Sequence, residues 1–295
     1  MAGQQTGDGT GTLYLVGTPI GNLEDITLRA LRLLQEADLI AAEDTRVTRK
    51  LLQRHRIATP AISYHAHSGE RRRRELVSML RSGKSIALVS DAGMPATSDP
   101  GADLVRAARE AGACVVVVPG PSAVSSALAI SGIPGQQYLF LGFLPNRSTA
   151  RKRALQQAAR WSGPVVCFEA PHRLRGTLAD IASVLGDRQA AVARELTKLH
   201  EEAVQGSLSD LIAHFASHPP RGEITVVLAP PMVGHACSVP VGQTSSLPDD
   251  ALAEVLDLIT AGLSPSRAVA HVARRRRVSR RDLYHTYLEI TKRLG

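Results

Sequence analysis

Apolar runs of four to six residues recur along the chain, each bounded by glycine, proline or charged residues. Leu13–Val16, Leu39–Ala42, Ile86–Val89 and Cys114–Val118 fall in the first half. Tyr138–Phe143, Val165–Phe168, Ala190–Ala193 and Ile224–Leu228 follow in the second. Apolar runs of strand length without alternation predict strands buried on both faces. Helical spacing fills the intervals. Ile26, Leu28, Leu31, Leu33 and Leu34 predict a helix capped by Asp25. Others are expected up to about His55, from Arg71, up to Ala111, over Ala123–Ile130 and from Arg147 to Trp161. In Asp99-Pro100-Gly101 the acid is expected at the N-cap and the proline on the first helical turn. Ser207 and Asp210 have capping-box spacing. The pattern assigns no element between Arg173 and Ala190, or between Lys198 and Gly206. Past a Pro/Gly/Ser-rich stretch, Asp250–Ala261 reads as helical, Ser264-Pro265 opens a second helix and Ser279 a third.

Strand alternating with helix predicts an α/β architecture. Three runs end in small-residue loops that open helices: Gly17-Thr18-Pro19-Ile20-Gly21-Asn22, Ser90 to Gly101, and Pro119-Gly120-Pro121-Ser122-Ala123. In open α/β sheets, ligands bind in the crevice outside such carboxyl ends. The first loop is not G-x-G-x-x-G, so a dinucleotide fingerprint is absent. Other strand ends carry charge: Glu43-Asp44-Thr45-Arg46, Glu169-Ala170-Pro171-His172-Arg173, and Arg194-Glu195-Leu196-Thr197-Lys198. Acids there are costly in a core and useful at a cleft rim.

At 295 residues, the chain can build more than one core. The expected divisions are a disordered leader over 1–11, an N-terminal α/β domain over 12–133 and a C-terminal α/β domain over 134–230. A linker over 231–248 and a basic helical extension over 249–295 complete them. Hydrophobic residues at 44% with only 3% aromatics suit an Ala/Val/Leu-built α/β protein. No apolar run approaches the ~18 residues of a membrane span. Cys114, Cys167 and Cys237 are widely spaced, so neither a disulfide framework nor a zinc site is expected, and the cytoplasm is the expected compartment. His65 and His67 lack an evident third ligand, so no metal is expected.

The formal charge of +8 is unevenly placed. Nine basic residues lie between Pro265 and Gly295, including Arg274, Arg275, Arg276, Arg277, Arg280 and Arg281, against only Asp282 and Glu289. Such a tail is the electrostatic footprint of a polyanion partner. A solvated basic helix pair, or a helix-turn-helix regulator, is the competing reading.

Taken together, G-T-P-I-G-N, A-E-D-T-R, S-D-A-G-M-P-x-x-S-D-P-G, P-G-P-S-A, G-F-L-P, E-A-P-H-R, R-E-L-T-K and the R-G-E strand resemble the small-subunit ribosomal RNA methyltransferases of the tetrapyrrole-methylase superfamily. The resemblance runs from about Leu13 to Leu228 and into the tail. It implies two α/β domains of the tetrapyrrole-methylase type with an appended C-terminal helical element, and a homodimer. It also implies S-adenosylmethionine in the inter-domain cleft and 2'-O-methylation of a cytidine in the decoding centre, on rRNA or the assembled 30S subunit. Pro19, Asp91, Ala92, Gly93, Met94, Pro95, Ser122, Ala123, Phe168 and Thr225 are the expected cofactor contacts. Glu43, Asp44, Glu169, Glu195 and Lys198 are the catalytic candidates. Arg46 and Arg173 join the tail arginines as expected RNA contacts. Met94 stands where the family pattern has Thr, and Ser68 where it has Asn. A tetrapyrrole-methylating member is the neighbouring alternative, disfavoured by the basic tail.

Overall fold

The computed structural model describes residues 9–65, 68–96, 101–231, 249–260, 262–276, 279–280, 283–284 and 287–288. The first half folds as β1 (Thr12–Val16), α1 (Leu28–Glu36), β2 (Leu39–Ala42), α2 (Thr45–Arg54), β3 (Ala61–Ser63), α3 (Gly69–Arg81), β4 (Ile86–Val89), α4 (Ala102–Glu110), β5 (Cys114–Val118) and α5 (Ala123–Ser131). The strands form one parallel sheet in the order β3-β2-β4-β1-β5. Its faces are filled by alternate residues of the same runs. Ile40, Ala42, Ala87 and Val89 meet Leu33, Leu34, Leu51 and Leu52 of α1 and α2 on one side. Leu39, Ala41, Ile86 and Leu88 meet Leu76, Leu80, Leu104 and Ala108 of α3 and α4 on the other. Each fully buried Leu or Ile among them contributes about 1.5–3 kcal/mol of burial. Because β2, β4, β1 and β5 are consecutive and parallel, the loops that follow them emerge side by side on one edge.

The second half folds as β6 (Leu139–Phe143), α6 (Ser148–Ala158), β7 (Val165–Glu169), α7 (Leu174–Leu185), β8 (Gln189–Arg194), β9 (Glu202–Ser207), α8 (Leu208–Ser217) and β10 (Ile224–Leu228). The sheet order is β6-β7-β10-β8-β9, with β6 parallel to β7 and the remaining pairs antiparallel. The register sets Ile224 against both Glu169 and Arg194. One edge therefore gathers the end of β7, the end of β8 and the start of β10. Leu155, Leu174, Leu178, Leu211 and Phe215 of α6, α7 and α8 cover one face. The other face is covered from the first half of the chain, where Ala127 of α5 lies with Val166, Ala191, Ala193 and Val227. The division expected near Gly132 falls between the two sheets, each with buried clusters of its own, while the cluster around α5 spans it, and both sheets belong to one compact unit.

Several local expectations are corrected. Asp25 sits in a 3-10 turn (Leu23–Asp25) that Asn22 caps, and α1 restarts after an extended Ile26-Thr27. Its cap is Thr27, whose Oγ1 accepts from the Ala30 amide at 3.1 Å. The N-cap position of α4 is Gly101 rather than Asp99, because the chain enters the helix through a φ of 132° that favours glycine. Asp99 and Pro100 lie outside the described residues. α6 ends at Ala158, short of Trp161. α7 and β9 have no counterpart in the expected pattern. Ser207 and Asp210 do form a reciprocal capping box.

The C-terminal unit contains α9 (Asp249–Thr260) and α10 (Pro265–Arg276), with a small core of its own. Ala251 and Val255 lie with Ala268, Val269, Val272 and Leu283. Most of the expected leader (1–8) and of the linker (232–248), and with them Cys237, fall outside the described residues, as do His67, Arg277, Arg281 and much of the expected third helix.

Candidate active-site cleft

Three loops on the edge of the first sheet are joined backbone to backbone. Thr18 and Gly93 exchange amide–carbonyl hydrogen bonds at 2.9 and 3.1 Å, and the Thr18 hydroxyl donates to the Ser90 carbonyl at 3.1 Å. Gly17 lies so close to Gly120 that a Cβ on Gly17 would stand 2.7 Å from the Gly120 Cα. A Cβ on Gly120 would stand 2.8 Å from the Gly17 Cα. Only glycine fits at both positions, since neither neighbour is a flexible side-chain end. The β2 loop is tied to this set by a reciprocal pair: the Asp44 amide donates to Asp91 Oδ1 at 3.0 Å, and the Asp91 amide to Glu43 Oε2 at 3.3 Å.

Opposite, the loops of the second sheet are held by charged side chains. Glu169 is fully buried and accepts from the Ala170 amide at 2.7 Å and the Thr177 hydroxyl at 2.5 Å. Arg173 Nε stands 3.2 Å from Glu169 Oε1, an ionic contact without hydrogen-bond alignment. The rest of that guanidinium donates to the Leu144 carbonyl at 2.7 Å, the Pro145 carbonyl at 3.2 Å and Asn146 Oδ1. Buried Arg151 donates to the Pro145 and Asn146 carbonyls at 3.2 Å each and pairs with Asp180 at 2.6 Å. Lys198 Nζ donates to Glu195 Oε1 at 2.9 Å and Glu223 Oε2 at 3.1 Å. The Asn22 amide donates to Thr197 Oγ1 at 3.0 Å, joining the first loop to the β8 loop.

Between these edges lies a cavity of about 550 Å³, within the range of small-molecule sites. Its walls include Asp91, Ala92, Gly93, Met94, Ser122, Ala123, Phe168 and Thr225 among the expected cofactor contacts, with Glu43 and Glu169 among the catalytic candidates. Pro19 and Pro95 belong to the same loops without lining the cavity. Asp44, Glu195 and Lys198 stand outside the lining. Sequence reasoning missed Phe140, Phe143, Leu196 and Glu223, which also line it. Leu196 and Glu223 fall in the R-E-L-T-K and R-G-E motifs and Phe143 in G-F-L-P, none of which assigns these residues a role, and the strand irregularity sets where both phenylalanines point. Phe140 and Phe143 both reach Phe168, with ring centroids 5.0 and 5.5 Å apart. Three of the chain's four phenylalanines thus stand in one wall.

The electrostatics sort the candidates. Arg46 hydrogen-bonds Asp44 and, with the Arg46 amide, holds its carboxyl down at about 2. Asp44 therefore acts as the α2 cap and as the anchor of Arg46, at 2.6 Å. Burial opposes the charge on Lys198, but the hydrogen bonds it donates to Glu195 and Glu223 outweigh it and raise its pKa. The Lys198 hydrogen bond, aided by the Glu223 amide, lowers that of Glu195. This pair is fixed in its charged form and is a poor proton shuttle. Burial raises the Asp91 carboxyl above its ordinary value, against the Asp44 amide that lowers it. Arg46 is largely exposed at the rim, while Arg173 is committed to its loop. On α10, Arg274, Arg275 and Arg276 are exposed, and Glu254 pairs with the last two at 2.9 and 2.7 Å.

A family model described as Tetrapyrrole (Corrin/Porphyrin) Methylases matches residues 12–212. A protein of Thermotoga maritima named Ribosomal RNA small subunit methyltransferase I is 51% identical over 219 residues, 74% of this chain and 98% of the relative. One of the same name from Synechocystis is 44% identical across 95% of this chain and 98% of its own length. Among solved structures, a cobalt precorrin-4 methyltransferase superposes with a TM-score of 0.59 at 19% identity, covering 77% of this chain and 98% of that one. A Thermus thermophilus uroporphyrin-III C-methyltransferase complexed with S-adenyl homocysteine gives 0.53 at 22%, covering 74% and 97%. The paired sheets, the loops gathered at their edges and the matched length agree: the chain belongs to the tetrapyrrole (corrin/porphyrin) methylase family, in the group whose curated members are named ribosomal RNA small subunit methyltransferase I.

Proposed function

We propose that the cleft binds S-adenosylmethionine and that the protein methylates small-subunit rRNA, at the 2'-hydroxyl of a cytidine in the decoding centre. The observation that carries the reading is the cavity itself, with loop backbone and two carboxylates on one wall and three phenylalanines on the other, in a chain half identical to a relative so named. Those residues fit the cofactor. The small residues Ala92, Gly93, Ser122 and Ala123 let a ligand lie against the loop backbone, Phe140 and Phe168 offer faces to an adenine ring, and Glu43 and Asp91 suit a cationic ligand. When bound, S-adenosylmethionine supplies an electrophilic methyl group on a sulfonium.

The chain's own contribution is alignment and charge. Holding acceptor and donor in line supplies on the order of 7–11 kcal/mol of the barrier. The fused glycine loops fix one wall, and the Glu169–Arg173 turn fixes the other. Of the five candidates only Glu43 and Glu169 line the cavity, and the Glu169 side chain is fully buried in its turn, so Glu43 on the cleft wall is the carboxylate that takes the hydroxyl proton. General-base help of this kind is worth about 10²–10⁴-fold. Arg46 at the rim and the exposed arginines of α10 are the phosphate contacts. The reading extends to the cytoplasm and to a homodimer, whose candidate face is the edge strand β5 with Val117 54% exposed.

Calorimetry and methyl transfer to unmethylated 30S subunits or rRNA test the reading together. Asp91→Ala should weaken S-adenosylmethionine binding about tenfold or more, the scale of one charge-assisted hydrogen bond. Charge reversal at Arg274–Arg277 should leave that affinity alone, weaken RNA binding and flatten its salt dependence. A wild-type protein that does not bind S-adenosylmethionine sinks the reading.

A further inference from the structure

Phe143 is the one aromatic of the cleft wall that is mostly open to solvent, at 66% exposure. Two features put it there. Along a regular strand, residues three apart point to opposite faces, so Phe140 and Phe143 should diverge. Instead the β6–β7 register shifts between them: Phe140 faces Val166, whereas Phe143 faces Phe168. Gly142 absorbs the extra residue with a φ of 62°. Bulges of this kind re-aim a side chain, and here both rings meet Phe168. The second feature is the support beneath. Leu144, Pro145 and Asn146 are held by the guanidinium groups of Arg151 and Arg173, which spend their donors on this loop, Asp180 and Glu169.

An exposed phenylalanine costs solvation, and here a bulge and the arginine-held loop that follows set its backbone at the cleft wall, with its ring against Phe168. We propose that Phe143 is a stacking platform for an unpaired nucleobase of the RNA substrate, holding the nucleotide whose ribose enters the cleft. The inference rests on the reading of RNA as the substrate. Sequence-specific RNA recognition stacks splayed bases on aromatic faces, and a ring already immobilised loses little entropy when it is used. Phe168, only half-buried behind Phe143, is left to the deeper part of the cavity. The occupant of the rim is therefore the substrate's base and not the cofactor's adenine.

The test compares Phe143→Leu, Phe143→Ala and Phe143→Trp in the full chain, after thermal unfolding shows that all three fold. Stacking on one aromatic is worth about tenfold in affinity or more. The Leu and Ala variants should raise the KM for unmethylated 30S subunits or rRNA about tenfold or more, and Trp should restore it. The affinity for S-adenosylmethionine should stay within about twofold of wild type for every variant. A Leu variant with unchanged KM overturns the platform. A drop in S-adenosylmethionine affinity with unchanged RNA KM overturns it too, assigning the ring to the cofactor. A wild-type protein that binds S-adenosylmethionine but methylates no RNA overturns the substrate reading as well, which separates the two failures.

Discussion

The two edges that face each other across the cleft are built by opposite means. On the first sheet the loops hold one another through amides, carbonyls and glycines in contact, with little side chain between them. On the second sheet the loops hang from long charged side chains: Arg151, Arg173, Glu169, Lys198 and Glu195. Where backbone meets backbone, between Thr18 and Gly93 and between Gly17 and Gly120, the weld has no titratable part and no rotamers, so it is stiff and tolerates no added atom. Only the β2 loop joins it through carboxylates, those of Glu43 and Asp91. A side-chain clamp can be removed by one substitution and pays desolvation for each charge. The stiff edge suits a ligand of fixed shape. The clamped edge can be remodelled residue by residue, which suits the side that reads a variable partner.

The contrast can be broken most severely at Arg151. Its side chain and that of Asp180 are both about nine-tenths buried, and Arg151→Met leaves a buried carboxylate short of its main partner. The expected loss is about 3 kcal/mol, toward the low end for broken buried pairs because Ser148 and Lys152 still reach Asp180. Denaturant unfolding measures it, and a loss under about 1 kcal/mol would mean that the clamp is not what holds the loop.

Next comes Gly17→Ala on the opposing edge. The added methyl meets immovable backbone, so overpacking of about 2 kcal/mol is expected, together with a clear loss of S-adenosylmethionine affinity. Stability and calorimetry read the two effects separately. Wild-type values for both would show that the weld is loose.

The smallest effect is acid sensitivity at Asp44. Its carboxyl is depressed to about 2 from an ordinary 3.8. A depressed acid adds stability that is full above the unfolded value and is lost as pH falls toward the folded one. Asp44→Asn should therefore lower stability slightly at pH 6, with the difference from wild type closing between about pH 4 and pH 2. A difference that widens on acidification reverses the sign and removes Arg46 as the cause.

Strands buried on both faces were the most legible parts of the chain. β2 and β4 match their apolar runs end to end, because nothing polar can enter a sheet covered on two sides. β9 was not legible. Its sequence, Glu-Ala-Val-Gln-Gly-Ser, has no apolar run, and it is a strand only because β8 supplies the ladder. α7 carries Gly176 in its first turn and no side-chain cap, so its start gives no local signal. In the cleft, the small-residue loops could be read because glycine and proline mark close backbone approach. Of the phenylalanine wall only Phe168 could be read, since the bulge at Gly142 reverses the face that alternation assigns to Phe143.

The placement of α5 on the second sheet has a consequence for synthesis. The helix is complete at Ser131, yet β10, the central strand it covers, does not begin until Ile224. During translation the apolar side of α5 emerges before any strand it covers: β7 follows some thirty residues later, β8 some sixty, and the central β10 only after some ninety, about 5–20 s at ordinary elongation rates. The N-terminal sheet can form early, but its last helix is not fully covered until the ribosome has delivered nearly the whole α/β body. The contacts that close the cleft are thus among the most distant within the α/β body, and the active site cannot be complete before β10 is made.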